Sequence, residues 1–230
     1  MKKVIFITTS HNKLGESGLQ TGVWLEEVAT PYFELMNENI HVEIASIKGG
    51  VIPIDPTSEL KDWETEDTIK FKNDSTAISL MENSLKLSDL IGSDYDLVYF
   101  PGGHGPMWDF VNNQILNRFL QEVIVLDKPI AAMCHGVAVL IDAIDLEGNA
   151  FVKGKKLTSF ADSEEVAVRA ENVVPFSLES KLKELESIYS KGDDFTPYVV
   201  VEKNLITGQN PASSYSVAQE IIKLLSNKRD

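Results

Sequence analysis

Short apolar runs alternate along this chain with segments of helical composition. Val4–Thr8 is a β-branched apolar run, and Leu97–Phe100 repeats that pattern before a glycine-rich turn. Leu126–Ala132 is a strand-like run, and His41–Ser46 alternates between apolar and polar residues. Runs that are apolar on both faces are typical of strands buried in a parallel sheet, and alternation favours a further strand.

Helical segments are predicted between these runs. They cover about 22–38, 76–88, 113–125 and 137–144, a stretch within 175–185, and a last helix that opens at 209–213 and ends near 226. Further short strands are predicted at 156–160, 198–202 and 205–207, and an irregular insertion with two prolines at about 48–75. Strands that alternate with helices predict an α/β protein with a mostly parallel sheet between helix layers. We expect a single domain over residues 1–230.

Composition narrows the class of protein. Hydrophobic content of 43% and charged content of 24% are ordinary for a globular chain. A net charge of -14 disfavours binding to nucleic acid or to an anionic membrane surface. One cysteine cannot form an intramolecular disulfide, and neither a signal peptide nor a run of about 18 apolar residues is present, so we expect a cytoplasmic protein.

The only cysteine lies at a predicted strand-to-helix turn, Met133-Cys134-His135-Gly136. A nucleophile at such a turn stands clear of its backbone beside free N–H groups, and these favour a thiolate. A lone cysteine is more often a small buried hydrophobe. Three predicted strands end at Cys134, at Gly102-Gly103 and after Thr9. These carboxyl ends meet at one edge of the predicted sheet, which is where α/β proteins have their functional sites. We therefore interpret Cys134 as a nucleophile.

Two adjacent glutamates in the first predicted helix differ in their surroundings. On a helix from Gly22, Glu27 shares a face with Val23, Trp24 and Pro31, whereas Glu26 points more towards solvent. Burial on an apolar face raises the pKa of a carboxyl and suits it to proton exchange near neutral pH. The alternative is a structural glutamate at the helix edge that accepts a hydrogen bond from a loop N–H group.

A histidine acting as base needs a third group to fix its other nitrogen, and Asp162-Ser163-Glu164-Glu165 supplies candidates for His135. Such acids also form ordinary solvated helix starts. The loop Pro101-Gly102-Gly103-His104-Gly105 could aim N–H groups at an oxyanion, or could be a tight turn; His104 and His11 are further cleft candidates. No metal motif is present, although two histidines and a carboxylate could still meet in three dimensions.

Taken together, these segments resemble the ThiJ/PfpI superfamily, which has the class I glutamine amidotransferase-like fold. Five segments match in order: the opening strand, residues 21–27 with Pro31, and residues 99–105, 132–136 and 207–214. The Thr-Gly-Val helix start, the insertion and Gly-Gln-Asn-Pro-Ala-Ser resemble the branch of heat-shock chaperones with glutathione-independent glyoxalase (glyoxalase III) activity.

The resemblance implies a flavodoxin-like three-layer sandwich with a nucleophile elbow. It implies a Cys134 nucleophile with His135 beside it, Glu27 bonded to the sulfur, and Glu165 as the triad acid, with Glu164 as its adjacent alternative. Gly103 and the backbone at His135 would supply oxyanion donors. The whole expected oxyanion and substrate-binding group is Gly102, Gly103, His104 and Gly136.

We therefore expect an enzyme without cofactor or metal that converts a small dicarbonyl such as methylglyoxal to a hydroxy acid. The expected partners are the carbonyl substrate and a second copy of the chain in a homodimer. Two alternatives remain open from the sequence: a stress-response holdase chaperone that needs no catalysis, and a cysteine peptidase or amidase with the same Cys-His pair.

Overall fold

A seven-stranded sheet forms the centre of the computed structural model, which describes residues 1–226. The described residues contain nine strands, seven of which form this sheet: β1 (Lys3–Thr8), β2 (His41–Ser46), β3 (Leu85–Lys86), β4 (Leu97–Phe100), β5 (Ile130–Met133), β6 (Lys156–Leu157), β7 (Ile188–Tyr189), β8 (Val199–Glu202) and β9 (Leu205–Gly208). The central order is β3-β2-β1-β4-β5-β9-β8, and β6 pairs with β7 in a separate two-stranded sheet. Within the central sheet only β8 runs antiparallel to its neighbour.

Helices cover both faces of this sheet. They are α1 (Glu26–Asn37), α2 (Glu66–Asn73), α3 (Ser75–Glu82), α4 (Pro106–Asp109), α5 (Gln114–Val125), α6 (Asp162–Ala167), α7 (Leu178–Glu184) and α8 (Ser214–Ser226). None of the helices in residues 1–226 has the length and apolar character needed to cross a membrane. The predicted mostly parallel, three-layer α/β fold is confirmed.

The residues of β1 show why two helix layers are needed. Ile5 and Ile7 point into one apolar core, which includes the buried face of α5. Val4 and Phe6 alternate with them and point into a second core with α1 and α8. Because successive side chains of a strand point to opposite faces, a strand that is apolar at every position must be covered on both sides.

Two predictions were wrong: the start of the first helix, and the irregular structure of the whole insertion at 48–75. The first helix begins at Glu26 rather than near Gly22, because Val23 pairs with Ile54 in an extended bridge and donates its N–H to the carbonyl of Pro53 at 2.8 Å. The segment 48–75 is only partly irregular, since it contains 3-10 helices at Pro56–Glu59 and Lys61–Trp63, and then α2. A capping box between Thr65 and Thr68 starts α2, a signal that the irregular composition obscured.

Other predicted elements shift by a few residues. The strand predicted at 126–132 is confined to Ile130–Met133, the strand at 156–160 shortens to Lys156–Leu157, and the helix predicted at 76–88 ends at Glu82. The helix predicted at 137–144 is a 3-10 helix over Cys134–Leu140. The last four residues of the predicted domain, 227–230, lie outside the described residues.

Candidate active site

The site is built around Cys134, the first residue after β5. Its φ of +53° lies in the left-handed region, which a side chain with a Cβ adopts at a cost of about 1–3 kcal/mol. The 3-10 helix that follows packs closely on β4, since a Cβ added to Gly136 would lie 2.3 Å from the carbonyl oxygen of Phe100. This close packing stabilises the strained turn, and it requires glycine at position 136 because a side chain there would clash with β4.

Cys134 heads a series of three hydrogen-bonding side chains. Its Sγ lies 3.4 Å from His135 Nδ1, and His135 Nε2 lies 2.7 Å from Glu165 Oε2. Glu165 belongs to α6, and both partners are buried. A carboxylate at Nε2 orients the imidazole so that Nδ1 faces the sulfur, which is the arrangement of a base held by a third group.

The two adjacent glutamates of α6 have separate tasks. Glu164 accepts hydrogen bonds from Ala161 N at 2.9 Å, Phe195 N at 2.8 Å and Asn210 Nδ2 at 2.7 Å. It therefore ties the start of α6 to the Gly-Gln-Asn-Pro segment and makes no hydrogen bond to His135. Glu165 is the acid that the structure brings to the cysteine.

His104 is a second histidine on Glu165, contacting Oε1 through Nε2 at 2.7 Å. Its ring centre lies 4.3 Å from that of His135. Burial tends to raise the pKa of Glu165, but His135 and His104 outweigh it and hold that pKa well below the usual range. Burial lowers the pKa of His135, with the adjacent His104 contributing and Glu165 opposing. The resting site thus has an ionised Glu165 and a neutral His135.

The sequence interpretation left open a meeting of two histidines and a carboxylate, and the structure contains one. The ligand atoms of His104, His135 and Glu165 lie within 4.8 Å of one another, and among the described residues this is the group that could hold a metal ion. Direct 2.7 Å hydrogen bonds already join both imidazoles to the carboxylate. A metal would have to replace both of them.

Glu27 lies on the other side of the cysteine and is fully buried. Oε2 accepts the Gly102 N–H at 2.6 Å, whereas Oε1 has no hydrogen-bond partner of regular geometry among the described residues. Burial raises the pKa of Glu27 to about 8, although the Gly102 N–H and the Cys134 thiol act against that rise. The carboxyl is therefore mostly protonated at neutral pH and in contact with the sulfur. The carboxyl accepts a loop N–H, as the structural alternative predicted, and it is also buried, as the apolar-face interpretation predicted; its role in proton exchange stays a prediction.

Burial also raises the pKa of the Cys134 thiol well above its usual value, and the Glu27 charge adds to this. The backbone N–H groups of Gly103 and His135 lower it. A proton on Glu27 removes the repelling charge, so a thiolate would then receive a hydrogen bond from the carboxyl as well as two from the backbone. The protonation of Glu27 therefore controls how readily the Cys134 thiol ionises.

Gly102 was predicted to supply an oxyanion donor, and this prediction was wrong. Its N–H donates to Glu27 and is not free for an oxyanion, and a Cβ there would lie 2.8 Å from the Cβ of Cys134. Gly103, with φ of +91°, aims its N–H at the sulfur, and a Cβ on it would lie 2.3 Å from the Gly22 carbonyl oxygen. The backbone donors near the sulfur are thus those of Gly103 and His135.

Two other sequence candidates, His11 and Asp162, lie outside this cluster, and so does Glu26, which was predicted to point towards solvent. His11 stacks on Trp108 with 5.0 Å between ring centres and contacts the Lys13 carbonyl oxygen. Asp162 accepts hydrogen bonds from two serine hydroxyls rather than from His135. Glu26 accepts hydroxyl hydrogen bonds from Thr30 and Thr65, so it ties α1 to the insertion instead of facing open solvent.

Cys134, His135 and His104 open onto a cleft of about 490 Å³. Its walls include aromatic residues that the sequence interpretation did not assign to the site, namely Trp24, Trp63, Phe160 and Phe195. The Phe160 ring lies 4.5 Å from the His135 ring and tilts 34° against it. Trp63 belongs to the proline-containing insertion, where its size in a mostly polar stretch was the available signal.

The parallel sheet, the strained cysteine elbow and the Cys-His-Glu series define an α/β protein of the nucleophile-elbow class. A match to the model of the DJ-1/PfpI family covers residues 19–224. The chain belongs to the DJ-1/PfpI family, and the resemblance drawn from the sequence is confirmed.

Individual relatives match nearly end to end. Glyoxalase 3 of Candida albicans is 29% identical over 96% of this chain and 98% of its own length. The glutathione-independent glyoxalase HSP31 of Saccharomyces cerevisiae is 26% identical over 98% of this chain and 99% of its own. Among solved structures, the Rapid Encystment Protein 24 KDa of Francisella tularensis is 40% identical, with a TM-score of 0.93 over 98% of this chain and 99% of that one.

Proposed function

We propose that this protein is a cysteine-dependent glyoxalase that needs neither glutathione nor a cofactor, and that it converts small 2-oxoaldehydes such as methylglyoxal to 2-hydroxy acids. The relatives named as glyoxalases, matched over nearly the whole chain, support this activity. The observation that carries the proposal is the buried Glu27 carboxyl beside the Cys134 sulfur, with a pKa of about 8.

The first step is addition of the Cys134 sulfur to the aldehyde carbon of the substrate. The thiol proton moves through His135 Nδ1, 3.4 Å from the sulfur, to the new alkoxide oxygen, which gives a hemithioacetal. The N–H groups of Gly103 and His135 stabilise the charge on that oxygen while it forms. Glu165 holds His135 in the orientation that this transfer requires.

The second step moves a proton between adjacent carbons. Glu27 acts here as the carboxylate, which its pKa of about 8 leaves as the minor form at neutral pH. It removes the hydrogen from the former aldehyde carbon, producing an enediolate, and returns that proton to the neighbouring carbon while the hydroxyl proton passes from the first oxygen to the second. Because its pKa is raised, this carboxylate is a stronger base than an ordinary one. The product is a thioester on Cys134, and water then breaks the S–C bond to release the hydroxy acid and restore the thiol.

The test is methylglyoxal consumption by the purified protein without glutathione, with the hydroxy acid measured as product. Glu27→Gln should lower kcat by about 10²-fold or more, because general acid–base catalysis typically contributes about 10²–10⁴-fold. Glu26→Gln is the matched neighbour control, since its amide oxygen can accept from one of the two hydroxyls of Thr30 and Thr65 and its NH2 group can donate to the other. Equal losses in the two variants would contradict the role given to Glu27.

The Cys-His-Glu series also favours a second candidate, a cysteine peptidase or amidase, because the same series activates sulfur for acyl transfer. That chemistry does not require the Glu27 proton shuttle. Release of a fluorogenic amide with kcat unaffected by Glu27→Gln would favour the hydrolase. The homodimer, the cytoplasmic location and the absence of nucleic-acid or membrane partners are further proposals from the sequence, and the homodimer can be checked by sedimentation.

A further inference from the structure

The cleft is far larger than the small dicarbonyl that its chemistry requires. Its volume of about 490 Å³ falls in the range of about 300–1,000 Å³ typical of pockets that bury a drug-sized ligand. Methylglyoxal has only five non-hydrogen atoms, so it leaves most of this space to water. The surplus volume indicates that a substituent larger than methyl belongs beside the reacting carbonyls.

The surplus space has apolar walls that reach the surface. Four of the lining side chains are large, apolar and partly exposed: Leu19 at 62%, Trp63 at 39%, Val168 at 42% and Phe195 at 36%. Trp63 meets the Trp24 ring edge-on, with centroids 5.3 Å apart and planes at 87°. An exposed apolar group rimming a cleft is the surface that an apolar ligand covers.

The charges around the cleft oppose an anionic ligand. No lysine or arginine is among the lining residues that the described part of the chain provides, whereas Asp55 is one of them. The two lining histidines, His104 and His135, are both already bonded to Glu165. A carboxylate or phosphate on the substrate would therefore find no partner of opposite charge and would lose its hydration.

We propose that the preferred substrate is an uncharged 2-oxoaldehyde with an aromatic or bulky apolar substituent, seated against the Trp24–Trp63 pair. The proposal rests on the glyoxalase function proposed above and adds to it the class of substituent. The proposal also assigns a role in substrate binding to the insertion at 48–75, since its 3-10 helix Lys61–Trp63 places Trp63 at the cleft. The insertion then determines specificity, while the elbow and Glu27 perform the chemistry.

The probes are methylglyoxal, phenylglyoxal and 4-carboxyphenylglyoxal, and the readout is kcat/KM for each. Burying a phenyl group contributes enough transfer free energy for about a tenfold to hundredfold gain, so phenylglyoxal should exceed methylglyoxal by that factor. The carboxylated analogue should fall at least tenfold below phenylglyoxal. Equal kcat/KM for the charged and uncharged aromatic aldehydes would overturn the charge inference.

Trp63→Ala separates binding in the cleft from the intrinsic reactivity of the aldehydes. It should lower the ratio of kcat/KM for phenylglyoxal over methylglyoxal at least fivefold, and Trp63→Phe should restore most of that ratio. Leu60→Ala is the matched control, because Leu60 is 57% exposed in the same segment and does not line the cleft. It should leave the ratio at the wild-type value.

The outcomes distinguish the two proposals. If the wild-type protein converts none of the aldehydes, the proposed function itself fails. If conversion occurs and depends on Cys134, but Trp63→Ala changes kcat/KM for both uncharged aldehydes by the same factor, the glyoxalase stands and the substituent class is wrong.

Discussion

Replacing Glu27 by Gln should stabilise the protein at alkaline pH while it removes activity. Glu27 is fully buried, and its pKa rises from 4.5 to about 8 on folding. This rise corresponds to about 5 kcal/mol in favour of the neutral acid, at about 1.4 kcal/mol for each pH unit. An amide of the same shape is neutral at every pH and is not subject to this penalty.

The sign of the effect follows from proton binding. Between pH 4.5 and about 8 the folded protein keeps the Glu27 proton while the unfolded chain loses it. Stability from this group is therefore fully present below pH 4.5, falls as the pH rises, and is lost above pH 8. The Glu27→Gln variant would not show this decline, so the gain from the substitution should be small in acid and large in base.

Urea unfolding at pH 5.5 and pH 8.5 measures this effect above the sequence pI of about 4.7. The extra free energy of unfolding of Glu27→Gln over wild type should be about 3 kcal/mol greater at pH 8.5 than at pH 5.5. Any loss from an imperfectly bonded amide is the same at both pH values and cancels in this difference. Glu38→Gln, at the exposed end of the same helix, should show a difference below about 0.5 kcal/mol. A pH-independent gain in Glu27→Gln would refute the assignment of Glu27 as a buried neutral acid.

Two further pairs of substitutions probe the acids of α6 and the cysteine elbow. Glu165→Gln should lower kcat about 10²-fold or more, because His135 loses the carboxylate that orients it. Glu164→Gln should mainly reduce the free energy of unfolding, by about 1–3 kcal/mol, because the Glu164 carboxylate accepts three structural hydrogen bonds. Steady-state kinetics and urea unfolding of both variants test this, and a large loss of kcat in Glu164→Gln with a loss of stability alone in Glu165→Gln would contradict it. Cys134→Gly should be more stable than Cys134→Ala by about 1 kcal/mol, since glycine adopts a φ of +53° without strain, and equal unfolding midpoints would show that the elbow is unstrained.

Much of the fold could be predicted from the sequence because buried parallel strands have a strong local signature. β2 and β4 were predicted at their observed bounds, His41–Ser46 and Leu97–Phe100. The start of α1 could not be, because Val23 is extended through pairing with Ile54, about thirty residues away along the chain. A contact between distant segments overrides local helix propensity and leaves no local trace.

The candidate site, like the fold, could be predicted only in part from the sequence. Glu27 was predicted to point inward, and it is completely buried. The predicted helical neighbours Val23 and Trp24 are not part of the helix, however, because α1 begins at Glu26. The choice between Glu164 and Glu165 could not be made from sequence, since a shift of one residue around α6 decides which carboxylate meets His135 and which meets Asn210. The second histidine on Glu165 and the tryptophan pair at the cleft depend on loops meeting in space, which residue types alone do not specify.

Conversion of methylglyoxal by wild type and Cys134→Ala, without glutathione, tests the central claim most directly. The measurement is the loss of methylglyoxal together with formation of the hydroxy acid, with unfolding curves to show that the variant folds. We expect saturable turnover by the wild-type protein and none above background in the variant, because the sulfur forms the covalent intermediate. Turnover by Cys134→Ala at the wild-type rate would contradict a cysteine-dependent glyoxalase.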